Sequence, residues 1–252
     1  MAIVNNVMLK GNVTHSPFFD RLGKAQFPFL RFYLAVDTND LALTLLKGSV
    51  TQPPFFNRFG DENEPFLRLY LAVNRRGEGT DFIRVVAYGD TALFTKPYLQ
   101  PGSQVLVSGN LRARKRRVRG GVKTVVEVVA DDDFDFLGKI DWKIGDRERD
   151  RILAERGEEY VPNERRVPHG GFLRVVAYND LALFVYPYLR VGSLLFVRGR
   201  LQARKRTLSN GKRETVVEVV AQDITFLRDV DRDAGNAERD RILASRRRGG
   251  EV

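Results

Sequence analysis

Arg174-Val175-Val176-Ala177-Tyr178 repeats Arg84-Val85-Val86-Ala87-Tyr88, and Thr215-Val216-Val217-Glu218-Val219-Val220-Ala221 repeats Thr124-Val125-Val126-Glu127-Val128-Val129-Ala130. These blocks belong to a segment, Phe82–Asp141, that returns as Phe172–Asp231 at an offset of 90 apart from a one-residue slip. A second repeat lies upstream, where Gly11–Asp37 returns as Gly48–Asn74 at an offset of 37. In it, Pro17-Phe18-Phe19 recurs as Pro54-Phe55-Phe56, and Leu30-Arg31-Phe32-Tyr33-Leu34-Ala35-Val36 recurs as Leu67-Arg68-Leu69-Tyr70-Leu71-Ala72-Val73. The order along the chain is front half, front half, back half, back half. A plain tandem duplication would alternate them. Nesting accounts for the order most simply, with residues 41–141 forming one complete barrel and residues 3–38 plus 170–231 forming another that the first interrupts. Hairpin tips accept such insertions because their two ends lie close together. The competing arrangement exchanges the outer halves between two chains. Residues 142–169 then read as a charged helix and linker, and residues 232–252 as a charged helix and basic tail.

The repeated segments alternate with period two, as strands with one buried face do. Leu30, Phe32 and Leu34 fall on one side of their strand, and Phe29, Arg31 and Tyr33 on the other. Ile83, Val85 and Ala87 face the core, so Phe82, Arg84, Val86 and Tyr88 face outward, as do Phe172, Arg174, Val176 and Tyr178. Arg112, Arg114 and Arg116 share an outward face, and so do Arg198, Arg200, Arg204 and Arg206. The outward side thus carries arginines and aromatic rings together, twice over. Bases stack on such rings at about 1–3 kcal/mol each, and arginines pair with phosphates. The competing reading of these rings is a second core layer under a helix or loop. Arg114–Lys123, with Lys115 and Arg116, and Arg204–Arg213, with Lys205 and Arg206, read as basic hairpin arms. Asn210-Gly211 marks a tight turn in the second.

Asp90–Leu99 and Asp180–Leu189 read as short helices, limited to about two turns by Pro97 and Pro187 because proline removes a backbone donor. Asp146–Arg156 and Asn236–Arg247 read as charged helices whose few apolar residues require them to dock or fray. Gly157–Gly170, with Pro162 and Pro168, reads as a returning linker.

Composition agrees with a polyanionic partner. The net charge is +10 over 252 residues, and such a surplus favours nucleic acid, or less often an anionic membrane. There is no cysteine, which excludes disulfides and thiolate metal sites. Only His15 and His169 could supply imidazole, and neither has a visible catalytic partner. Asp131-Asp132-Asp133, the one acidic cluster, reads as a solvated loop at a strand end. No enzyme motif, cofactor site or metal site emerges. No apolar run reaches the ~20 residues of a membrane span, and the first residues do not read as a secretory signal, so a cytoplasmic, nucleoid-associated protein is expected.

Phe172–Leu227 resembles the bacterial single-stranded DNA-binding protein family through Arg174-Val175-Val176, Tyr188-Leu189, Gly192-Ser193, Val197-Arg198-Gly199-Arg200-Leu201 and Ala203-Arg204-Lys205. Phe82–Leu137 matches in pattern, and the front halves match through Leu9-Lys10-Gly11, Leu46-Lys47-Gly48 and their Leu-Ala-Val strands. The resemblance implies an all-β chain of two five-stranded oligonucleotide-binding (OB) barrels with short helices. It implies binding of single-stranded DNA with little sequence preference, in replication, recombination or repair. It places base stacking at Phe82, Tyr88, Phe172 and Tyr178. Arg116 and Arg206 stand where the family often has a further aromatic, which implies more phosphate contact there. The expected interface is therefore Arg31, Tyr33, Arg68, Tyr70, Phe82, Arg84, Tyr88, Arg112, Arg114, Lys115, Arg116, Phe172, Arg174, Tyr178, Arg198, Arg200, Arg204, Lys205 and Arg206. By analogy with four-barrel assemblies, a homodimer is expected. The chain ends Arg246-Arg247-Arg248-Gly249-Gly250-Glu251-Val252 without the family's acidic tip, so recruitment of other proteins by that route is not expected. The alternative is a primosome-like accessory or RNA-binding OB protein acting as an assembly module.

Overall fold

The computed structural model describes residues 4–36, 42–60, 63–75, 79–118, 121–154, 172–207 and 213–248. Its strands, in chain order, are β1 (Asn5–Val13), β2 (Phe18–Leu22), β3 (Phe27–Ala35), β4 (Leu43–Val50), β5 (Phe55–Phe59), β6 (Glu64–Asn74), β7 (Thr80–Tyr88), β8 (Gln104–Val118), β9 (Gly121–Phe136), β10 (Leu173–Tyr178), β11 (Leu194–Thr207) and β12 (Arg213–Phe226). The helices are α1 (Gly89–Thr95), α2 (Trp142–Ala154), α3 (Asn179–Val185) and α4 (Arg232–Arg248). Two compact units form. Met1–Asn6, Leu43–Gly171 and Leu201–Val217 make the first, and Val7–Ala42, Phe172–Arg200 and Glu218–Val252 the second.

In the first unit β4 pairs with β6, β6 with β7, β7 in parallel with β9, β9 with β8, and β8 with β4 again. The circuit is a closed five-stranded barrel, and closure removes the unpaired edges an open sheet would leave. β5 folds back on β6 outside the circuit. The second unit runs the same circuit through β1, β3, β10, β12 and β11, with β2 folded back on β3. β3 and β10 pair antiparallel from Leu34↔Leu173 to Phe29↔Tyr178, although β4 to β9 intervene in the sequence.

Alternation fills each barrel. Leu30, Phe32 and Leu34 are buried in one, Ile83, Val85 and Ala87 in the other. Gly109 sits at the β8 irregularity. A Cβ there would stand 2.3 Å from the Val129 carbonyl oxygen, so a side chain would push β8 off β9.

α1 and α3 each run on into a single 3₁₀ turn, Lys96–Tyr98 and Tyr186–Tyr188. Pro97 and Pro187 occupy the start of those turns, where a missing N–H costs nothing. The proline thus tightens the helix end instead of ending it. α2 and α4 begin earlier than the charge pattern suggested, and both dock. A Cβ on Gly145 would meet the Tyr98 ring at 2.1 Å, and one on Gly235 would meet Tyr188 at 2.1 Å. Each helix therefore approaches its tyrosine through a glycine. The Tyr98 hydroxyl donates to Asp146 at 2.8 Å and the Tyr188 hydroxyl to Asn236 at 2.7 Å.

The triple aspartate is a correction. Asp131 to Asp133 lie inside β9 rather than in a loop at its end, and Asn110 Nδ2 donates to Asp131 at 3.0 Å. The Asn210-Gly211 turn, the 157–170 linker with His169, and the last four residues of the chain lie outside the described residues, as does most of the Arg119-Gly120-Gly121 tip. Among the described residues no helix is long and apolar enough to cross a membrane.

Candidate nucleic-acid interface

Strand register decides which side chains share a face. In the first unit Phe66 lies opposite Tyr88, Arg68 opposite Val86, Tyr70 opposite Arg84 and Ala72 opposite Phe82. Phe55 of β5 is opposite Arg68. Val86 is level with Val129 across the parallel β7–β9 pair, and Arg112 is opposite Glu127 across β8–β9. The outer side of this barrel therefore gathers Phe55, Phe66, Arg68, Tyr70, Phe82, Arg84, Tyr88, Arg112 and Arg114 around Glu127. Lys115 and Arg116 continue along β8 and are exposed.

The centre of this face is more deeply packed than alternation implies. Arg84 and Val86 were expected to face outward into solvent, as were Arg174 and Val176. They are buried, at 6%, 0%, 7% and 0% exposure. Both arginines, expected among the nucleic-acid-binding residues, are thus packed against carboxylates rather than open to solvent. Arg84 Nε lies 2.9 Å from Glu127 Oε2, and Arg174 Nε 3.0 Å from Glu218 Oε2. Glu127 also accepts from Arg114 Nε at 2.7 Å. A carboxylate 1% exposed thus holds two guanidinium groups in line. Period two reports the side of the sheet on which a residue lies, not what covers that side. Here aromatic rings cover it. Phe29, Val176 and Val220 form a small second core outside the barrel of the second unit, with Tyr178 packed on it.

Tyr88 packs on Phe66 with centroids 5.2 Å apart, and Tyr178 on Phe29 at 5.4 Å. Burial pushes the Tyr88 phenol up from its ordinary value. Burial lowers the Arg84 and Arg112 guanidinium groups from theirs, yet guanidinium remains charged near neutral pH. The rim is open. Phe82 is 55% and Phe172 45% exposed, and such rings cost free energy in water unless something covers them.

The sequence reading did not single out Phe18 and Phe55 as site residues. Arg31 lies over the Phe18 ring at 4.6 Å and Arg68 over Phe55 at 4.4 Å, contacts worth about 0.5–1 kcal/mol at exposed sites. Both phenyl rings remain exposed while carrying a guanidinium on one face. The repeated Pro-Phe-Phe was the available signal. His15 was also missed. It stands edge-on to Tyr33 at 5.4 Å and to Phe172 at 5.2 Å.

In the second unit β3 carries Arg31 and Tyr33, β10 carries Arg174 and Tyr178, and β11 carries Arg198 and Arg200. Phe172 lies just before β10. Arg204, Lys205 and Arg206 lie further along β11, on the stretch that clusters with the first unit. Among the described residues no group of three or more His, Cys, Asp or Glu forms a metal site.

The sequence profile of the Single-strand binding protein family matches residues 39–137 and 156–227. Single-stranded DNA-binding protein 2 of Staphylococcus aureus strain COL is 45% identical over 56 residues, which is 22% of this chain and 40% of that protein. The homologue from strain Mu50 matches to the same extent. The chain thus spans less than half the length of these curated relatives. The crystal structure of the wild-type single-stranded DNA binding protein from Thermus aquaticus superposes with a TM-score of 0.51 at 21% identity, covering 74% of this chain and 93% of that one. That likeness shows the fold.

Proposed function

Since the chain belongs to the single-strand binding protein family, we propose that it binds single-stranded DNA with little sequence preference and protects it during replication, recombination or repair. It acts by binding rather than by catalysis. One observation carries this reading: each unit presents an exposed phenylalanine, Phe82 or Phe172, on the same strand face as a tyrosine–phenylalanine pair and the arginines between them. Bases stack on the rim rings. Arg68 and Arg31 meet phosphates from their phenyl supports, joined by Arg112, Arg198, Arg200 and the arm residues Arg114, Lys115, Arg116, Arg204, Lys205 and Arg206. Arg84 and Arg174 act from beneath, by fixing the carboxylates that align their neighbours.

The same reading takes the chain as nested barrels, 41–141 within 3–38 plus 170–231. Pairing of β3 with β10 across the intervening strands supports it. It also takes the working form as a homodimer presenting four barrels at the nucleoid.

The test is a Phe82→Ala, Phe172→Ala double variant titrated with oligo-dT. Loss of two stacking platforms should weaken binding by about 2–6 kcal/mol at about 1–3 per base. Unchanged affinity in a folded variant rules the rim rings out as stacking sites.

A further inference from the structure

Asp81 is a buried carboxylate that no part of the binding face uses. It is 1% exposed, at the start of β7. Arg75 grips it twice, through Nε to Oδ2 at 3.0 Å and Nη2 to Oδ1 at 2.7 Å. The pair then engages one backbone residue of β11 on both of its polar groups. The Ala203 N–H donates to Asp81 Oδ1 at 2.8 Å, and Arg75 Nη2 donates to the Ala203 carbonyl at 3.0 Å. Two residues earlier Asn5 does the same: its Nδ2 donates to the Leu201 carbonyl at 2.9 Å and its Oδ1 accepts from the Leu201 N–H at 2.9 Å. All five residues belong to the first unit.

The positions explain the arrangement. β1 pairs with β11 through Val7↔Gly199, so beyond Gly199 that edge of β11 has lost its neighbouring strand. Leu201 and Ala203 point their N–H and C=O groups toward the lost neighbour. Unpaired edge groups invite water or another chain. Here an amide and an ion pair complete the ladder with side chains. The next residues are Arg204, Lys205 and Arg206.

The internal repeat provides a built-in comparison. By the repeat offsets of 37 and 90, the residues matching Asn5, Arg75 and Asp81 are Ala42, Thr38 and Gly171, and the residue matching Ala203 is Ala113. None of the three carries the amide, guanidinium or carboxylate side chain that such a grip requires, so those positions cannot repeat it at Ala113.

We propose that Asp81, with Arg75, is a positioning residue for single-strand binding. It holds the β11 arm in place so that Arg204, Lys205 and Arg206 form a preset phosphate track. The proposal rests on the single-strand reading. A side chain already in place loses less freedom when its ligand arrives.

Two readouts on the full chain test it. The first is amide exchange without DNA. Ala203 should exchange at least about tenfold more slowly than Ala113, and Asp81→Ala should bring it to the Ala113 rate while core amides such as Val85 and Val175 stay protected. The second is affinity for oligo-dT. Asp81→Ala should weaken it roughly threefold to tenfold, about the effect of re-ordering one or two long side chains. Asp81→Asn keeps an acceptor for the Ala203 N–H and should rescue part of both losses. If Asp81→Ala does not fold, Arg75→Gln, at a partly exposed site, should move both readouts in the same direction. Equal exchange at Ala203 and Ala113 in the native protein overturns the latch. A freed Ala203 with unchanged oligo-dT affinity overturns the positioning role but leaves the single-strand reading intact. Native protein that protects Ala203 yet does not bind oligo-dT overturns the single-strand reading, and the positioning role with it.

Discussion

Replacing Glu127 by alanine should destabilise the first unit severely, for a reason visible in two distances. Glu127 meets Arg84 at 2.9 Å and Arg114 at 2.7 Å. The two arginines differ in their access to water, with side-chain exposures of 8% and 32%. Arg114 can turn to solvent, so its half of the bridge contributes up to about 1 kcal/mol. Arg84 cannot, and a buried charge stripped of its partner costs about 3–5 kcal/mol. The sum is about 3–6 kcal/mol. At about 2 kcal/mol per molar urea this moves the unfolding midpoint by about 1.5–3 M. Trp142 is the only tryptophan and lies in this unit, so its emission reads the transition selectively. An Arg84→Met, Glu127→Leu double variant leaves no orphan charge and should recover most of the loss. If Glu127→Ala costs less than about 1 kcal/mol, Arg84 reaches water by another route, and the account of a rigid bridge beneath the face is wrong.

Two further predictions concern the helix and the nesting. Glu148 of α2 is held down to about 2, chiefly by its hydrogen bonds to Arg151 and next by Lys96. A depressed carboxylate stabilises above its unfolded value and loses that contribution as pH falls through its folded one. α2 should therefore loosen from Lys96 between about pH 4.5 and pH 2, with a change in Trp142 emission as it leaves Tyr98. Lys96→Ala should flatten that acid response, and an unaltered response would show that the Lys96 contact is not what Glu148 senses. A fragment of residues 41–141 should fold alone and unfold cooperatively, because it carries the whole circuit of β4, β6, β7, β9 and β8. A disordered fragment would mean that the halves depend on one another in a way nesting does not require.

The order of the repeats is legible because barrel halves keep their apolar spacing, and the buried Ile83, Val85 and Ala87 follow from alternation alone. The face was harder to read. Arg84 and Val86 lie on the side that alternation assigned, but both are buried there, Arg84 against Glu127 of β9, and a strand's own sequence says nothing about what packs on it from other strands. The docking of α2 and α4 was hidden for a related reason. Its signal is a glycine, Gly145 or Gly235, meeting a tyrosine far away in the chain. The role of Asp81 was invisible, because the Ala203 backbone, 122 residues away, becomes its neighbour only once β7 and β11 are in place.

The most direct test of the central claim is equilibrium binding to a fluorescent dT oligomer of about 35 nucleotides, enough for two barrels at up to about 16 each. It should be run at two salt concentrations, with duplex DNA and oligo-U as competitors. Stacking on Phe82 and Phe172 beside aligned arginines predicts tight binding that weakens with salt and resists duplex competitor, whose bases are not free to stack. Equal displacement by duplex would contradict it, leaving a basic surface that attracts any polyanion.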